Sequence, residues 1–205
     1  MCFQKALEFR PGWHEAQHNL GRAFFQLGQV DEALASFRQA SGGTNPELSR
    51  NAIAVAIPGS PKSNLQSVLD ARRAWAQQFL PAPQLPPPFS CCVDSSDTAT
   101  ASSQALRIGY VSSFFQHNNW MKPVWGLINH HDRRRFQVHL FSDAPQNRIK
   151  HGYRAHHGDK FYDISESSNE EAAHLIRNSG IDLLVDLNGY SKLSRLPLIA
   201  LKPAP

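Results

Sequence analysis

The amino-acid sequence predicts an α plus α/β protein, in which a segment of helical repeats precedes a lobe built on a parallel sheet. Within residues 1–46, apolar and small residues recur with the spacing of paired helices. Residues 81–105 are rich in proline and serine, which is typical of a boundary between domains. From Leu106 onward, short apolar runs alternate with amphipathic runs, as expected of strands connected by helices.

Composition and charge exclude several classes of partner. The formal net charge is +4, and Arg133–Arg135 is the longest basic run, so we expect no nucleic-acid partner. No apolar run approaches the ~18 residues of a membrane span, so we expect no membrane partner. The three cysteines, Cys2 and the adjacent pair Cys91–Cys92, fit neither a disulfide framework nor a Cys-x-x-Cys metal motif. A reducing cytoplasm is the expected location.

The first segment carries an internal repeat. Two pairs of residues recur at the ~34-residue spacing of a helix-turn-helix unit: Phe3 with Phe37, and Ala6 with Ala40. The second unit has small residues where its helices must approach and aromatic residues to fill the gaps: Gly21, Ala33, Ala40, Phe24 and Phe37. Gly28 separates the two helices, and Pro11 closes the preceding unit. This pattern resembles a tetratricopeptide repeat, and because about three repeats are needed for stability, we expect the array to begin upstream of Met1.

The repeat also contains a possible metal motif. His14, Glu15 and His18 fit H-E-x-x-H, which on a helix can hold zinc and supply a general base. The alternative is the polar outer face of a repeat helix that happens to spell the motif. We favour this alternative because no third ligand follows at an expected spacing, so we predict no metal site.

Two further helices are predicted to close the open end of the repeats. They span Glu47–Ala56 and Asn64–Phe79, and Ser63 is the predicted N-cap of the second. The predicted domains are therefore the repeats and helical cap at 1–80, a disordered linker at 81–105, and a sheet-containing lobe at 106–205.

The lobe is predicted to alternate strands and helices. The predicted strands are 106–113, 136–142, 160–164 and 181–187, and the predicted helices are 120–131, 148–156, 169–178 and one that starts near Leu196. Ser168 and Glu171 have capping-box spacing, and Gly180 is the predicted C-terminal stop of that helix. We expect Pro123 to lie in the first turn of its helix, where a missing amide hydrogen is harmless. Such alternation gives a parallel sheet with helices on both faces.

Two polar loops of this lobe form a candidate site. If the strand order is 3-2-1-4, ligands are expected at the carboxyl ends of strands one and four. The loops there offer His117, Asn118 and Asn119, and Asn188, Gly189, Tyr190, Ser191 and Lys192. A histidine could take a proton from an attacking hydroxyl group near neutral pH. The alternative is that these asparagines and the glycine are ordinary helix caps and turns, and that Lys192 and Arg195 are exposed cations of a helix start.

The combination of these features resembles the O-linked N-acetylglucosamine transferases. The resemblance rests on the repeats, the linker, and the segments LRIGYVSS, NHHDRRRFQVHLFSD and GIDLLVDLNGYSKLSRLPLIALKPAP. It implies that 106–205 is the N-terminal Rossmann-like lobe of a two-lobed GT-B glycosyltransferase. It further implies transfer of a sugar from a UDP-sugar donor to serine or threonine hydroxyl groups, acceptor proteins presented by the repeats, and no cofactor. A related branch of the family uses glucose and asparagine.

The resemblance also assigns site residues. After Ser112 and Ser113 the family has an acidic residue and, further on, a histidine, whereas this chain has Phe114 and places Asn118 at the histidine position. Either a tighter loop lets His117 serve as the catalytic histidine, or that histidine is absent. Asn188, Gly189, Tyr190 and Ser191 match the family's substrate-binding loop.

A last expectation concerns the end of the chain. In the family, residues equivalent to 203–205 lead into a second lobe with most donor contacts, so we expect a fragment that is inactive alone. The alternative is a non-catalytic tetratricopeptide interaction module with a degenerate glycosyltransferase lobe.

Overall fold

The computed structural model describes residues 2–80, 105–143, 152–191 and 194–205, apart from the side chains of Asn118 and Asn119. The chain divides into two units, Met1–Leu80 and Pro81–Pro205. Of the predicted linker, only Ala105 lies within the described residues.

The first unit is helical. Its helices are α1 Cys2–Phe9, α2 His14–Gln26, α3 Val30–Ala40, α4 Pro46–Ala56 and α5 Leu65–Phe79, with a 3-10 turn at Ile57–Gly59. Each helix contacts the next one along the chain. The core contains Ala33, Leu34, Phe37, Ala56 and Ile57, so α4 and the 3-10 turn cover the apolar side of α3.

The close approach of α2 to α3 depends on a glycine. A Cβ atom at Gly21 would lie 2.7 Å from the Phe37 ring, and that ring is only 2% exposed. Gly28 lies in the connection between α2 and α3. Its backbone has a left-handed conformation, with φ 76°, which a glycine adopts without strain. The predicted roles of Gly21 and Gly28 in this helix pair are confirmed.

The cap of α5 differs from the prediction. The N-cap is Asn64, whose Oδ1 accepts from the Ser67 amide at 2.8 Å, while Ser67 Oγ accepts from the Asn64 amide at 2.9 Å. Ser63 instead donates to the Ser60 carbonyl. The prediction of Ser63 was wrong because the reciprocal capping box forms between Asn64 and Ser67, while Gln66, three residues after Ser63, donates its side-chain amide to Asp70 instead.

The second unit is a four-stranded parallel sheet. Its elements are β1 Leu106–Ser112, α6 Asn118–Asn129, β2 Phe136–Ser142, β3 Lys160–Asp163, α7 Asn169–Asn178, β4 Leu183–Asp186 and α8 Leu196–Ala200. The strand order is β3-β2-β1-β4, and Tyr110 of β1 pairs with Leu140 and Val185. This is the order 3-2-1-4 on which the candidate site was conditional. The predicted fold class, a helical segment followed by a parallel-sheet, Rossmann-like lobe, is confirmed.

Both faces of the sheet are covered by helices. On one face, Tyr110 and Leu140 pack with Trp125 of α6. On the other face, Val111 and Phe141 pack with residues of α7 and α8, which include Ile176 and Leu198. This alternation follows from the period of two along a strand, which sends neighbouring side chains to opposite faces.

Local signals predicted α7 well. Ser168 Oγ accepts from the Glu171 amide at 3.1 Å, and Glu171 Oε2 accepts from the Ser168 amide at 2.8 Å. Gly180 follows the helix with φ 62°. The predicted capping box, helix bounds and glycine stop are all confirmed.

Other boundaries in the lobe depart from the predictions. Helix α6 begins at Asn118, so Pro123 lies in its second turn and not in its first. Residues 152–156 form no helix, because Gly152 has φ 94° and Asn129 of α6 bonds to the backbone of Gly152 and Arg154. The rest of that predicted helix lies outside the described residues. Strand β4 is shorter at both ends than predicted. None of the described helices is long and apolar enough to cross a membrane.

Candidate functional site at the carboxyl ends of the strands

The loops that follow β1 and β4 are in direct contact. The amide of Ser113 donates to Asn188 Oδ1 at 2.9 Å, and the amide of Leu187 donates to the Val111 carbonyl at 3.0 Å. Asn188 is only 5% exposed. Because neighbouring parallel strands end at the same edge, these loops lie side by side at the carboxyl ends of β1 and β4, where ligands of such sheets are expected to bind.

A tight turn shapes the loop after β4. The Asp186 carboxylate accepts from the amides of Asn188 at 2.9 Å and Gly189 at 3.0 Å. Gly189 adopts φ 52°, and Ser191 donates its amide to the Asn188 carbonyl at 3.1 Å. The turn exposes Gly189 and leaves Tyr190 and Ser191 half-buried. Asn188 and Gly189 therefore form the tight turn of the alternative interpretation. The turn does not exclude a role for these residues in a site. Lys192 lies outside the described residues.

The loop after β1 presents a histidine. His117 is exposed and is the N-cap residue of α6, and its ring meets the Phe114 ring edge-on, with centroids 5.6 Å apart. Its amide donates to the Phe114 carbonyl at 2.8 Å. Asn118 and Asn119 are the first two residues of the helix, so the alternative that one of them is the N-cap is wrong.

Sequence reasoning missed an ion pair at this edge. Asp143, directly after β2, accepts from Ser113 Oγ at 2.8 Å through Oδ2 and binds Arg195 Nε at 3.1 Å through Oδ1. Arg195 also donates to the Ser167 carbonyl at 2.6 Å. The Arg195 side chain is 15% exposed, so the interpretation as an exposed cation was wrong. The position of Asp143 at the end of a strand beside strand one was the signal in the sequence.

Burial governs the chemistry of this carboxylate. Burial raises the pKa of Asp143, while the Ser113 hydroxyl and the Arg195 guanidinium act in the opposite direction. In dinucleotide-binding sheets, an acidic residue about 20 positions after the first βα turn binds the ribose hydroxyl. Here both carboxylate oxygens are engaged by the protein, and the loop at 113–117 contains no glycine. The edge therefore differs from a dinucleotide-binding crevice.

In the H-E-x-x-H motif of α2, His18 lies neither in a metal site nor on a polar outer face. His18 is 9% exposed, its Nδ1 lies 3.0 Å from Ser49 Oγ, and its ring packs against Phe37. Burial, aided by Arg22, lowers the pKa of His18. The predicted outer face was wrong for His18, because the turn of α2 that carries it packs on α3 and α4. Across the described ranges, no group of three or more His, Cys, Asp or Glu side chains is placed to hold a metal ion.

Known proteins with similar sequences are peptide glycosyltransferases by name. A UDP-N-acetylglucosamine--peptide N-acetylglucosaminyltransferase of Caenorhabditis elegans is 36% identical over 109 residues, 51% of this chain and 9% of that protein. The probable enzyme SEC of Arabidopsis thaliana is 28% identical over 58% of this chain and 12% of its own length. The probable enzyme SPINDLY of Oryza sativa subsp. japonica is 29% identical over 66% of this chain and 14% of its own. The chain thus spans 9% to 14% of these relatives.

A solved structure extends the likeness to nearly the whole chain. A mutant O-GlcNAc transferase of Thermobaculum terrenum aligns with a TM-score of 0.69 and 25% identity over 99% of this chain and 38% of that one. The model of glycosyl transferase family 41 matches residues 90–205, which is more than half of the chain. This chain belongs to glycosyl transferase family 41.

Proposed function

We propose that this chain forms part of a glycosyltransferase that moves N-acetylglucosamine from a UDP-sugar to serine or threonine hydroxyl groups of proteins. Family membership and the names of the relatives support the reaction class. The single observation that carries the site is the hydrogen bond from Ser113 to Asn188, which joins the loops after β1 and β4 at one edge of the sheet.

Each loop has a role in this proposal. The acceptor hydroxyl lies at the edge, near His117 and the start of α6 at Asn118. It loses its proton to the His117 imidazole as its oxygen forms a bond to the anomeric carbon, the bond from that carbon to UDP breaks, and UDP leaves. The turn at 188–191 borders the sugar and the acceptor.

We assign different functions to the two units. In the proposal, 1–80 is a tetratricopeptide segment with a helical cap that presents acceptor proteins, and 81–105 is a linker. The lobe at 106–205 is the N-terminal half of a GT-B catalytic region in a cytoplasmic enzyme. Because the chain spans 9% to 14% of its curated relatives, we assign the complete reaction to the native gene product and expect little turnover from these 205 residues alone.

Sugar transfer by the native gene product tests the proposal. We expect radiolabel to move from UDP-N-acetylglucosamine to a serine- or threonine-containing peptide. Asn188→Ala should lower kcat/KM at least ~10-fold, because it removes the bond that orients the two loops. Asn178→Ala is the matched control, since Asn178 is an exposed asparagine at the end of α7, and it should leave the rate unchanged.

Two results would contradict the proposal. A folded native product that transfers no sugar from any UDP-sugar would refute the reaction. An unchanged kcat for His117→Ala would remove His117 as the base and leave the other assignments standing.

A non-catalytic interaction module is the second candidate. Phe114 favours it, because the family resemblance implies an acidic residue at this position, whereas the Phe114 ring packs against both His117 and Trp120. This candidate predicts that the same peptides bind to the native gene product and remain unmodified.

A further inference from the structure

Three polar side chains from separate segments meet where β1 and β2 end. Ser113 follows β1, Asp143 follows β2, and Arg195 immediately precedes α8. Asp143 contacts both of the others, at 2.8 Å from Ser113 Oγ and 3.1 Å from Arg195 Nε. One carboxylate therefore links three segments that are distant in sequence.

Arg195 is held on two sides. Its Nε binds Asp143, and its Nη2 donates to the carbonyl of Ser167, in the turn before α7. The side chains of Arg195 and Asp143 are 15% and 16% exposed, so the pair is largely removed from water. A buried charge that loses its partner is strongly unfavourable, which makes this contact a strong positional restraint.

The same contacts fix both ends of the connection between β4 and α8. Asn188, at its start, accepts from the Ser113 amide, and Arg195, at its end, binds Asp143. Ser113 in turn donates its hydroxyl to Asp143. Asn188 is thus connected to Ser113, Ser113 to Asp143, and Asp143 to Arg195. The first and last of these residues both belong to the connection between β4 and α8. Gly189, Tyr190 and Ser191 lie between the two fixed ends.

We propose that Asp143 is a positioning residue for sugar transfer, which holds Ser113 and Arg195 so that the turn at 188–191 keeps its place against the loop after β1. This inference rests on the proposed function, in which that turn borders the acceptor. Asp143 itself touches no substrate in this role. Its effect on the reaction passes through Ser113 and Arg195.

The two oxygens of Asp143 allow a graded set of variants. Asp143→Asn keeps an acceptor for the Ser113 hydroxyl but removes the charge that pairs with Arg195, and Asp143→Ala removes both contacts. Asp163→Asn is the matched control, because Asp163 ends the neighbouring strand β3, is exposed, and bonds within its own turn to Ser165.

Hydrogen exchange tests whether Asp143 fixes the loops. In the native gene product, Asp143→Asn should accelerate amide exchange in peptides that contain Ser113 and Ser191, Asp143→Ala should do so more strongly, and Asp163→Asn should not. Unchanged exchange at both loops in Asp143→Ala would overturn the proposal. This readout needs no catalytic activity, so it decides the positioning role even where sugar transfer, and with it the proposed function, fails.

Kinetics separates positioning from mere support of the fold. Asp143→Asn should lower kcat by ~10- to 100-fold, since small misplacements in a site reduce the rate on this scale. The double variant Asp143→Asn with Arg195→Gln removes both charges and should recover the unfolding temperature while kcat stays low. Recovery of kcat together with the unfolding temperature would show that the pair only supports the fold and would overturn the proposal.

Discussion

At the scale of single residues, burial determines the behaviour of His139. This residue of β2 is 0% exposed, and its ring stacks on Tyr162 with centroids 5.8 Å apart. Its Nδ1 lies 3.3 Å from the Tyr162 hydroxyl, and its Nε2 has no partner in the described part of the chain. Burial, aided by Lys160 and Arg107, lowers the pKa of His139 to about 4.

The first prediction follows from this depressed pKa. An unfolded histidine binds a proton near pH ~6.5, whereas folded His139 does so only near 4, so between these values the unfolded state holds more protons. The contribution of neutral His139 to the free energy of unfolding is therefore fully present above pH ~6.5. It falls by ~3 kcal/mol as the pH drops to 4. Urea unfolding across this range measures the loss.

A pair of variants isolates the histidine. His139→Gln should flatten the pH dependence between 6.5 and 4, while His157→Gln, at an exposed position of the same unit, should leave it unchanged. An undiminished slope in His139→Gln would show that other groups cause the acid sensitivity.

At the scale of elements, sequence reasoning succeeded where the signal is local. The capping box of α7 involves residues three positions apart, and the strands of the lobe are marked by their own apolar runs. The misses at His18 and at the Asp143 ion pair involve partners that are far apart in the chain. Ser49 lies 31 residues from His18, and Asp143 lies 30 residues from Ser113. The periodicity of a single segment does not indicate such contacts. The burial of His18 and the ion pair of Arg195 could therefore be recognised only in the folded structure.

Packing between α2 and α3 gives a prediction at this scale. Gly21→Ala would place a methyl group 2.7 Å from the buried Phe37 ring. Overpacking costs ~1–3 kcal/mol, and the better helix propensity of alanine returns up to ~1 kcal/mol, so we expect a net loss of ~1 kcal/mol. Calorimetric unfolding measures the change.

A control variant is expected to change the free energy of unfolding in the opposite direction. Gly126 lies inside α6 with nothing within 4 Å of an added Cβ atom, so Gly126→Ala should stabilise its unit by up to ~1 kcal/mol through helix propensity alone. Equal effects of the two substitutions would contradict the tight packing of α2 on α3.

At the scale of the whole molecule, the order of the strands carries the functional account. The alternating pattern predicted a parallel sheet, and the order β3-β2-β1-β4 makes the loops after β1 and β4 neighbours. The sequence identified His117 and Asn188 as candidates because each follows a strand. Sequence reasoning did not identify Asp143, because its contact with Ser113 depends on the register between β1 and β2, which neither strand encodes alone.

An acceptor titration tests the central claim most directly. A serine-containing acceptor peptide is added to the 15N-labelled chain, and the amide signals of His117 and Tyr190 are followed. If the two loops border one acceptor crevice, both signals shift with the same dissociation constant, while that of the exposed Asn178 stays fixed. Shifts at only one of the two loops, or different dissociation constants at His117 and Tyr190, would contradict a shared crevice.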